Sequence, residues 1–344
     1  MRASDITATI LSRWLSDSGT LAPGSVVDVH VELEIETSTS TLVFLNVTYS
    51  RDVANSVSPH LVVKSPLSSA SACESNNSEL QFYRRIAPAL QTPPLVNCYA
   101  AVEAPDNNAL VLEDLRSTHD HPRWPIPPSA KQCEAAVAAL ARVHARWWES
   151  PALGSTAGEL HTTESLTKMV QGVAANLPGF FDAVGDALTT DARRVLERVF
   201  SSSLAPWLRL TDQRALTIIH GDAHTWNFLF PRAREGAAYL IDWQLWHVDV
   251  GARDLAFFIA LHWYPGRRAE LERPLIQFYY DRLLEYGVRG YSFDELWLDY
   301  RRCVVRNLTI PIIFWRRGMK PEGWWHRLEC ALMAYRDLGC DELV

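Results

Sequence analysis

Two short apolar segments in the middle of the chain, each leading directly into a polar motif, constrain its fold more than any other feature. Leu216–Ile219 leads into the run His-Gly-Asp-Ala-His-Thr-Trp-Asn, and residues 239–241 lead into Asp242. Apolar runs of this length that are bounded by polar residues predict short strands. Because a hairpin-like stretch separates the two strands, the loops that follow them can bring Asp222, Asn227 and Asp242 together.

Two carboxylates and an amide in this order are typical of phosphoryl transfer. That reaction needs a carboxylate to orient the attacking hydroxyl and oxygen ligands to hold Mg²⁺ against the phosphates. Asp222 can fill the first role, and Asn227 and Asp242 the second. A single Asp or Asn in a loop is most often a cap or turn residue, so the hypothesis depends on the combination.

Length and composition indicate a globular protein of two apposed lobes or domains. The chain has 344 residues, of which 48% are hydrophobic and 21% are charged. These values are ordinary for a globular enzyme and far from those of disordered chains. The formal charge of -7 disfavours a general role on nucleic acid, whose phosphates are held by clustered Lys and Arg. A single nucleotide needs only a local basic spot.

Cysteine usage and hydropathy indicate a protein of the cytoplasm that does not bind membranes. The cysteines form no C-x-x-C pair, so we expect free and mostly buried thiols, which fit a reducing compartment. Residues 1–17 predict a short amphipathic helix, and nowhere do eighteen consecutive apolar residues occur. We therefore expect neither a signal peptide nor a membrane span. The six cysteines are Cys73, Cys98, Cys133, Cys303, Cys330 and Cys340.

The first part of the chain predicts an antiparallel sheet with one helix. Apolar and polar residues alternate over residues 27–35, and apolar runs follow at 42–47 and 61–63. Between the first two runs, residues 37–41 read Thr-Ser-Thr-Ser-Thr, which suits a hairpin whose N–H and O–H groups point outward. A helix is predicted over residues 79–87 and a further strand over Ala109–Glu113.

The second part of the chain predicts mainly helices. The Pro-rich segment 122–128 marks a boundary, and residues 129–148 carry apolar side chains at helical spacing. His144 lies on that apolar face, where a hydrogen-bonded core histidine is expected. The predicted fold class is α+β, with a first lobe over residues 1–112, a hinge over 113–118 and a helical lobe over 119–344.

The motifs resemble those of a known superfamily. His-Gly-Asp-x-His-x-x-Asn followed by Ile-Asp-Trp resembles the catalytic and metal motifs of the aminoglycoside phosphotransferase and choline kinase-like superfamily. This resemblance implies a bilobal, protein-kinase-like fold with a small antiparallel-sheet lobe and a mostly helical lobe. It implies that Asp222 is the catalytic base and that Asn227 and Asp242 bind Mg²⁺. Residues expected to support the site are His220, His224 and Asp254, the last from a segment similar to the family's G-x-x-D-L-A.

The same resemblance implies a nucleotide site in the first lobe. Lys64 ends an apolar strand, as does the kinase lysine that contacts the α- and β-phosphates. Glu79 would pair with it, although Glu74 could take that place. The loop would contact phosphate through Ser38, Thr39 and Ser40, and the hinge would hold the base near Glu113 and Leu115.

The features that resemble this superfamily run from about residue 27 to about residue 260. The E-x-x-F/Y-Y helix and the Trp-rich second part are most similar to the ecdysteroid kinase-like branch. Two departures stand out: the loop 37–41 has no glycine, so that hydroxyls would have to substitute, and Asp-Trp-Gln stands where protein kinases have Asp-Phe-Gly. Candidate aromatic residues for an acceptor pocket are Trp246, Trp263, Trp315 and Trp324.

The sequence thus predicts a kinase that transfers the γ-phosphate of ATP or GTP, with Mg²⁺, to a hydroxyl of a small molecule. The acceptor stays open among an antibiotic sugar, a choline-like alcohol, a sterol-like alcohol and another metabolite. A nucleotide-binding pseudokinase or scaffold is the alternative. A protein kinase is disfavoured, because the segment from Asp242 to Asp254 is too short for an activation loop. His247 and Asp249, within that segment, could touch metal or substrate or serve only the loop.

Overall fold

A computed structural model describes residues 2–21, 24–51, 57–67, 69–90, 94–103, 108–122, 126–201, 207–208, 214–233 and 236–344. Their contacts divide the chain into two compact units. Unit 1 comprises Met1–Pro127 and Trp226–Trp246, and unit 2 comprises Pro128–Thr225 and His247–Val344. The division falls at the end of the Pro-rich segment, of which residues 123–125 lie outside the described ranges.

The division differs from the predicted lobes, because two stretches assigned to the helical lobe belong to unit 1. These stretches are residues 119–127 and Trp226–Trp246, and strand pairing of His119–Asp120 joins the first to the second. His119–Asp120 pairs with Phe228–Pro231, which in turn pairs with Tyr239–Leu240. Backbone pairing between segments more than a hundred residues apart gives no local sequence signal, so the prediction could not include it.

Unit 1 is built on a five-stranded antiparallel sheet with the order β1-β2-β3-β5-β4. The strands are β1 (Val26–Glu36), β2 (Ser40–Tyr49), β3 (His60–Pro66), β4 (Cys98–Val102) and β5 (Ala109–Glu113). The small strands β6 (His119–Asp120), β8 (Phe228–Pro231) and β9 (Tyr239–Leu240) form a second sheet. Helix α1 (Ala8–Asp17) packs its buried Leu11 and Leu15 against the core of the larger sheet.

Two elements of unit 1 differ from their predictions. Helix α2 (Ala70–Gln81) begins nine residues before the predicted start and continues as a π-helix over Phe82–Ile86. Its first turns are rich in Ser and Asn, which favour turns and caps, so the apolar spacing starts only at its end. Strand β1 forms at the sheet edge, yet Val27, Leu33 and Ile35 on its apolar face are 60%, 42% and 40% exposed.

Unit 2 is mostly helical. Its helices are α3 (Ala130–Trp147), α4 (Thr163–Ala174), α5 (Leu177–Val184), α6 (Thr190–Ser201), α7 (Ala252–Phe258), α8 (Pro265–Glu285), α9 (Phe293–Asn307), α10 (Thr309–Arg316) and α11 (Pro321–Asp337). One antiparallel pair joins β7 (Leu216–Ile219) to β10 (His247–Val250). A capping box starts α3, where Ser129 and Gln132 satisfy each other's backbone N–H.

The predicted α+β class is confirmed: an antiparallel sheet dominates the first unit and helices dominate the second. All six cysteines are free, and four of them are buried. Within the described ranges, no helix combines the length and the apolar character that a membrane crossing requires.

Candidate active site

Lys64 lies in the interior of unit 1 and contacts two carboxylates. Its Nζ is 2.5 Å from Glu79 Oε2 and 2.6 Å from Asp242 Oδ1. Only 8% of its side chain is exposed. Burial by itself lowers the pKa of Lys64, but the charges of Glu79 and Asp242 outweigh burial and raise that pKa above its ordinary value. The ammonium group is therefore charged, and it joins helix α2 to the segment after β9.

The two carboxylates around Lys64 differ in their exposure. The side chain of Glu79 is 1% exposed, and its Oε1 accepts a hydrogen bond from the backbone N–H of Trp243 at 3.2 Å. Burial raises the pKa of Glu79, and Lys64 opposes that rise. Asp242, in contrast, keeps 39% of its side chain exposed. Glu74, the alternative partner, is exposed, so the structure selects Glu79.

Strand pairing brings Asn227 and Asp242 to the same end of a hairpin. Phe228 pairs with Leu240, and the N–H of Ile241 donates to the carbonyl oxygen of Asn227 at 3.0 Å. Asn227 ends a short 3₁₀ turn and is 5% exposed. The sequence predicted this adjacency from the segments Leu216–Ile219 and 239–241. In the structure it comes from the pairing of Phe228–Pro231 with Tyr239–Leu240, whereas Leu216–Ile219 pairs with His247–Val250.

Asp242 adopts a left-handed backbone conformation, with φ 65° and ψ 61°. Such a conformation costs a residue with a side chain about 1–3 kcal/mol and persists only where its surroundings impose it. Here Trp243 supplies that constraint, because it is fully buried and its ring stacks on Phe82 at 4.0 Å between centroids. The Trp of the Asp-Trp-Gln motif therefore anchors the turn that presents Asp242.

The turn between β1 and β2 is closed by its own hydroxyl groups. Thr37 Oγ1 accepts from the N–H of Ser40 at 3.0 Å and from the N–H of Thr39 at 3.4 Å. Gln244 bonds the hydroxyls of Thr39 and Ser40. Ser38 is exposed, but Ser40 is fully buried. The sequence predicted that the N–H and O–H groups of this loop point outward. The exposed Ser38 agrees with that prediction, but the N–H groups of Thr37, Thr39 and Ser40 bond within the turn.

The predicted hinge residues have backbone groups that are already engaged. The N–H of Glu113 donates to the carbonyl oxygen of Asn97 at 2.9 Å. The carbonyl oxygen of Leu115 accepts from the N–H groups of Thr118 at 3.0 Å and His119 at 2.9 Å. These bonds occupy two of the groups that the prediction assigned to the nucleotide base.

In unit 2, Asp254 holds the start of the loop that carries Asp222. Its Oδ2 accepts from the N–H of His220 at 2.7 Å, and its Oδ1 accepts from the N–H of Gly221 at 2.9 Å. His144 Nε2 lies 3.2 Å from the same Oδ2. Burial raises the pKa of Asp254, but the hydrogen bond and charge of His144 outweigh it, so that pKa is lowered. Both side chains are fully buried, so His144 is a hydrogen-bonded core histidine and Asp254 holds the backbone of the loop.

Asp222 lies among basic groups of unit 2. Its Oδ2 is 3.5 Å from His224 Nε2, and its own N–H donates to His220 Nδ1 at 3.3 Å. Burial lowers the pKa of Arg327, on α11, and the charge of Asp222 opposes that shift. Sequence reasoning missed Arg327, because an arginine in a late helix carries no signal for the loop it approaches.

The four candidate tryptophans are engaged in packing. Trp246 donates its Nε1–H to the carbonyl oxygen of Ser78 at 2.8 Å. Trp263 and Trp324 are only 3% and 5% exposed, and Trp315 packs edge-on against Phe180. The buried faces of Trp263 and Trp324 disfavour a role in stacking on an acceptor.

His247 and Asp249 belong to a cluster in unit 2. Among the described residues, ligand atoms of His161, His247 and Asp249 lie within 4.8 Å of one another. Arg306 donates to Asp249 Oδ2 at 2.5 Å, however, and its positive charge disfavours a cation there. The burial of Asp249 raises its pKa, but Arg306 outweighs burial and holds that pKa far below the ordinary range. Arg306 and Asp249 therefore form a structural ion pair.

Comparison with known proteins gives one family and one fold. The model of the ecdysteroid kinase-like family matches residues 34–288. A search among curated proteins found no match. The structure is similar to a Ralstonia eutropha JMP134 protein assigned to the aminoglycoside phosphotransferases, with 14% identity, a TM-score of 0.56 and 97% of each chain covered.

Two further solved structures share the fold. Spectinomycin phosphotransferase APH(9)-Ia, bound to ADP and spectinomycin, is 13% identical with a TM-score of 0.52, and the match covers 98% of this chain and 99% of that one. Macrolide 2'-phosphotransferase MphH from Brachybacterium faecium is 15% identical with a TM-score of 0.54, and 95% of this chain and 97% of that one are covered. At these identities the likeness shows the fold alone, and it confirms the predicted kinase-like fold. With the family model spanning most of its length and the motif residues in the geometry described, the chain belongs to the ecdysteroid kinase-like family.

Proposed function

We propose that this protein transfers the γ-phosphate of a nucleoside triphosphate, ATP or GTP, to a hydroxyl group of a small molecule. One observation carries the proposal: the buried ammonium of Lys64 contacts both Glu79 and Asp242. Protein kinases require the ion pair between this lysine and a helix glutamate for activity, together with a metal-motif aspartate that holds Mg²⁺. Phosphotransferases with the same fold, solved with ADP or GDP, support a nucleotide as the phosphate donor.

Asn227 and Asp242 are the residues that would hold Mg²⁺. Both offer hard oxygen donors, which this ion prefers, and they end two paired strands. Of the two carboxylates on Lys64, Asp242 is the accessible one, at 39% exposure against 1% for Glu79. When bound, the ion would neutralise charge on the phosphate oxygens.

The remaining chemistry falls to positioning and electrostatics. Lys64 binds the α- and β-phosphates, and Glu79 keeps its ammonium in place. Asp222 accepts a hydrogen bond from the acceptor hydroxyl, orients its oxygen toward the γ-phosphorus and takes the proton. The new oxygen–phosphorus bond forms as the bond to the bridging β–γ oxygen breaks, which yields a phosphate ester and a nucleoside diphosphate. Asp254 and His144 act through the loop, since they hold the backbone before Asp222.

The acceptor is a small molecule in this proposal. Neighbours with the same fold are named for spectinomycin, macrolide and aminoglycoside acceptors, and the family is named for ecdysteroids. A panel should therefore contain antibiotic sugars, choline-like alcohols and sterol-like alcohols, with nucleoside diphosphate release as the readout. Binding of ATP or GTP without consumption by any acceptor would favour the scaffold alternative. We place the enzyme in the cytoplasm, because its six cysteines are free.

The variant Asp222→Ala tests the proposed role of Asp222 as the catalytic base. We expect turnover to fall by at least about 10²-fold, because a positioned base contributes that much, while nucleotide binding is unchanged. The control is Asp182→Ala, at an exposed position of α5. Full phosphotransfer by the Asp222 variant would refute this assignment.

A further inference from the structure

Gln244, two residues after Asp242, joins the metal motif to the nucleotide turn. Its Nε2 lies 3.2 Å from Thr39 Oγ1 and 3.3 Å from Ser40 Oγ. The hydroxyl of Thr39 in turn donates to Gln244 Oε1 at 3.2 Å. These contacts connect residues about two hundred positions apart in the chain, within unit 1.

The turn has few backbone donors left for a phosphate. The N–H groups of Thr39 and Ser40 donate to Thr37 Oγ1, and the N–H of Thr37 donates to the carbonyl oxygen of Ser40 at 2.8 Å. A glycine-rich loop would offer such N–H groups to the triphosphate. Besides the N–H of Ser38, side-chain hydroxyls are therefore the donors that this turn can offer.

The two hydroxyls that Gln244 contacts are not equivalent. Ser40 is fully buried, whereas Thr39 is partly exposed. An amide nitrogen carries two hydrogens and accepts nothing, so Nε2 donates to Ser40 Oγ. In this orientation of the amide, the second hydrogen of Nε2 is directed to Thr39 Oγ1. When Thr39 accepts that bond, its single hydroxyl hydrogen, which is donated to Gln244 Oε1 in this structure, can turn to a phosphate oxygen while Nε2 still holds Oγ1.

We propose that Gln244 is a positioning residue for the triphosphate: anchored on Ser40, it donates to Thr39 Oγ1 and so presents the Thr39 hydroxyl as a donor to a phosphate oxygen. In this way a glycine-free turn replaces backbone donors with a side-chain donor. The inference rests on the proposed nucleotide-dependent function. It also gives the third residue of Asp-Trp-Gln a role that the glycine of Asp-Phe-Gly could not fill.

The test compares the binding of ATP with Mg²⁺ and the binding of adenosine by titration calorimetry. In Gln244→Met, which keeps the length of the side chain without its amide, we expect ATP affinity to fall about tenfold. Adenosine affinity should stay within about twofold, because the missing contact concerns phosphate only. Leu245→Ala, at the exposed neighbouring position, is the matched control and should bind ATP as the wild type does.

Variants of Thr39 test whether its hydroxyl donates to a phosphate or only holds the turn in place. Thr39→Val keeps the shape but loses the hydroxyl and should lose ATP affinity about as Gln244→Met does. Thr39→Ser should retain the affinity. The double variant Thr39→Val/Gln244→Met should bind ATP no more than about twofold more weakly than the weaker single variant, because both act through one hydrogen bond.

Three results would overturn the inference. They are an unchanged ATP affinity in Gln244→Met, an equal loss of ATP and adenosine affinity, and independent losses that multiply in the double variant. Failure of the proposed function is seen separately, in a wild type that binds neither ATP nor GTP with Mg²⁺, or that binds one of them and consumes it with no acceptor of the panel.

Discussion

Replacing Lys64 with methionine removes the cation that lies between Glu79 and Asp242. The change tests how far the stability of the protein depends on this ammonium group. Methionine fills a similar volume, so the main effect is electrostatic. Glu79 would keep only its bond from the N–H of Trp243 while remaining 1% exposed. Asp242 is partly exposed, so solvent screens its charge and its share of the cost is small.

The expected loss of stability in Lys64→Met follows from the burial of Glu79. Breaking a buried ion pair by removing one partner costs about 3–5 kcal/mol, because the remaining charge is uncompensated. We expect a loss of this size in the free energy of unfolding of Lys64→Met at pH 8. Surface pairs contribute about 0–1 kcal/mol, so Lys168→Met, whose partner Glu164 is 76% exposed, should lose no more than that.

The loss should depend on pH with a defined sign. Burial raises the pKa of Glu79 and Lys64 opposes it, so removing Lys64 raises that pKa further. A carboxyl group whose folded pKa exceeds its unfolded pKa loses stability as the pH rises through the folded value. The deficit of Lys64→Met should therefore be smaller at pH 5 than at pH 8. Adding Glu79→Gln, which cannot ionise, should recover about 1–3 kcal/mol at pH 8.

Urea denaturation followed by tryptophan fluorescence measures these differences. Trp243, which donates its backbone N–H to Glu79 and stacks on Phe82, is one of 13 tryptophans, so the signal reports unfolding of the chain as a whole. The reasoning fails if Lys64→Met loses no more stability than Lys168→Met. It also fails if the deficit is the same at pH 5 and pH 8, since Glu79 would then not be its source.

Two further predictions concern the loop before Asp222. Asp254→Asn should lower the free energy of unfolding by about 3–5 kcal/mol, because the buried carboxylate accepts two backbone hydrogen bonds and contacts His144. Its control is Asp182→Asn, on the surface, which should change the free energy of unfolding by less than about 0.5 kcal/mol. Because the pKa of Asp254 is lowered in the folded state, its contribution to the free energy of unfolding is lost as the pH falls through the folded pKa. The stabilities of wild type and Asp254→Asn should therefore converge below about pH 4. A stability difference that stays constant down to pH 3 would contradict this. Gly251→Ala should cost about 1–3 kcal/mol in thermal or urea unfolding, because an added Cβ would lie 2.7 Å from His144 Nδ1 and closer still to a tyrosine hydroxyl. Gly266→Ala, where a Cβ meets nothing within 4 Å, is its control, and equal effects at the two positions would refute the steric explanation.

Much of the candidate site could be predicted because its parts have local signals. The apolar segments before Asp222 and Asp242 are short strands, as the spacing of their residues indicated. Lys64 ends an apolar run, and Glu79 begins the apolar spacing of its helix. Such patterns depend on neighbouring residues only, so a linear sequence displays them.

Other features could not be predicted because they depend on distant partners. The early turns of α2 carry no apolar stripe, so their helix was missed. The apolar face of β1 alternates as a buried strand would, yet Val27 is 60% exposed. Alternation predicts that one face of a strand is apolar and the other polar. Only the remaining elements of the fold decide whether the apolar face is covered.

By itself, the sequence determined the α+β class, the order of the motifs and the residue types available for phosphoryl transfer, since these follow from local periodicity and side-chain chemistry. Only the tertiary structure decided that Lys64 pairs with two carboxylates at once, that Gln244 bonds the turn of Thr39, and that Asp254 holds the loop of Asp222. The physical reason is that burial and partner choice arise when segments far apart in the chain pack together, and hydrogen bonds and ion pairs then depend on distances that no local pattern contains.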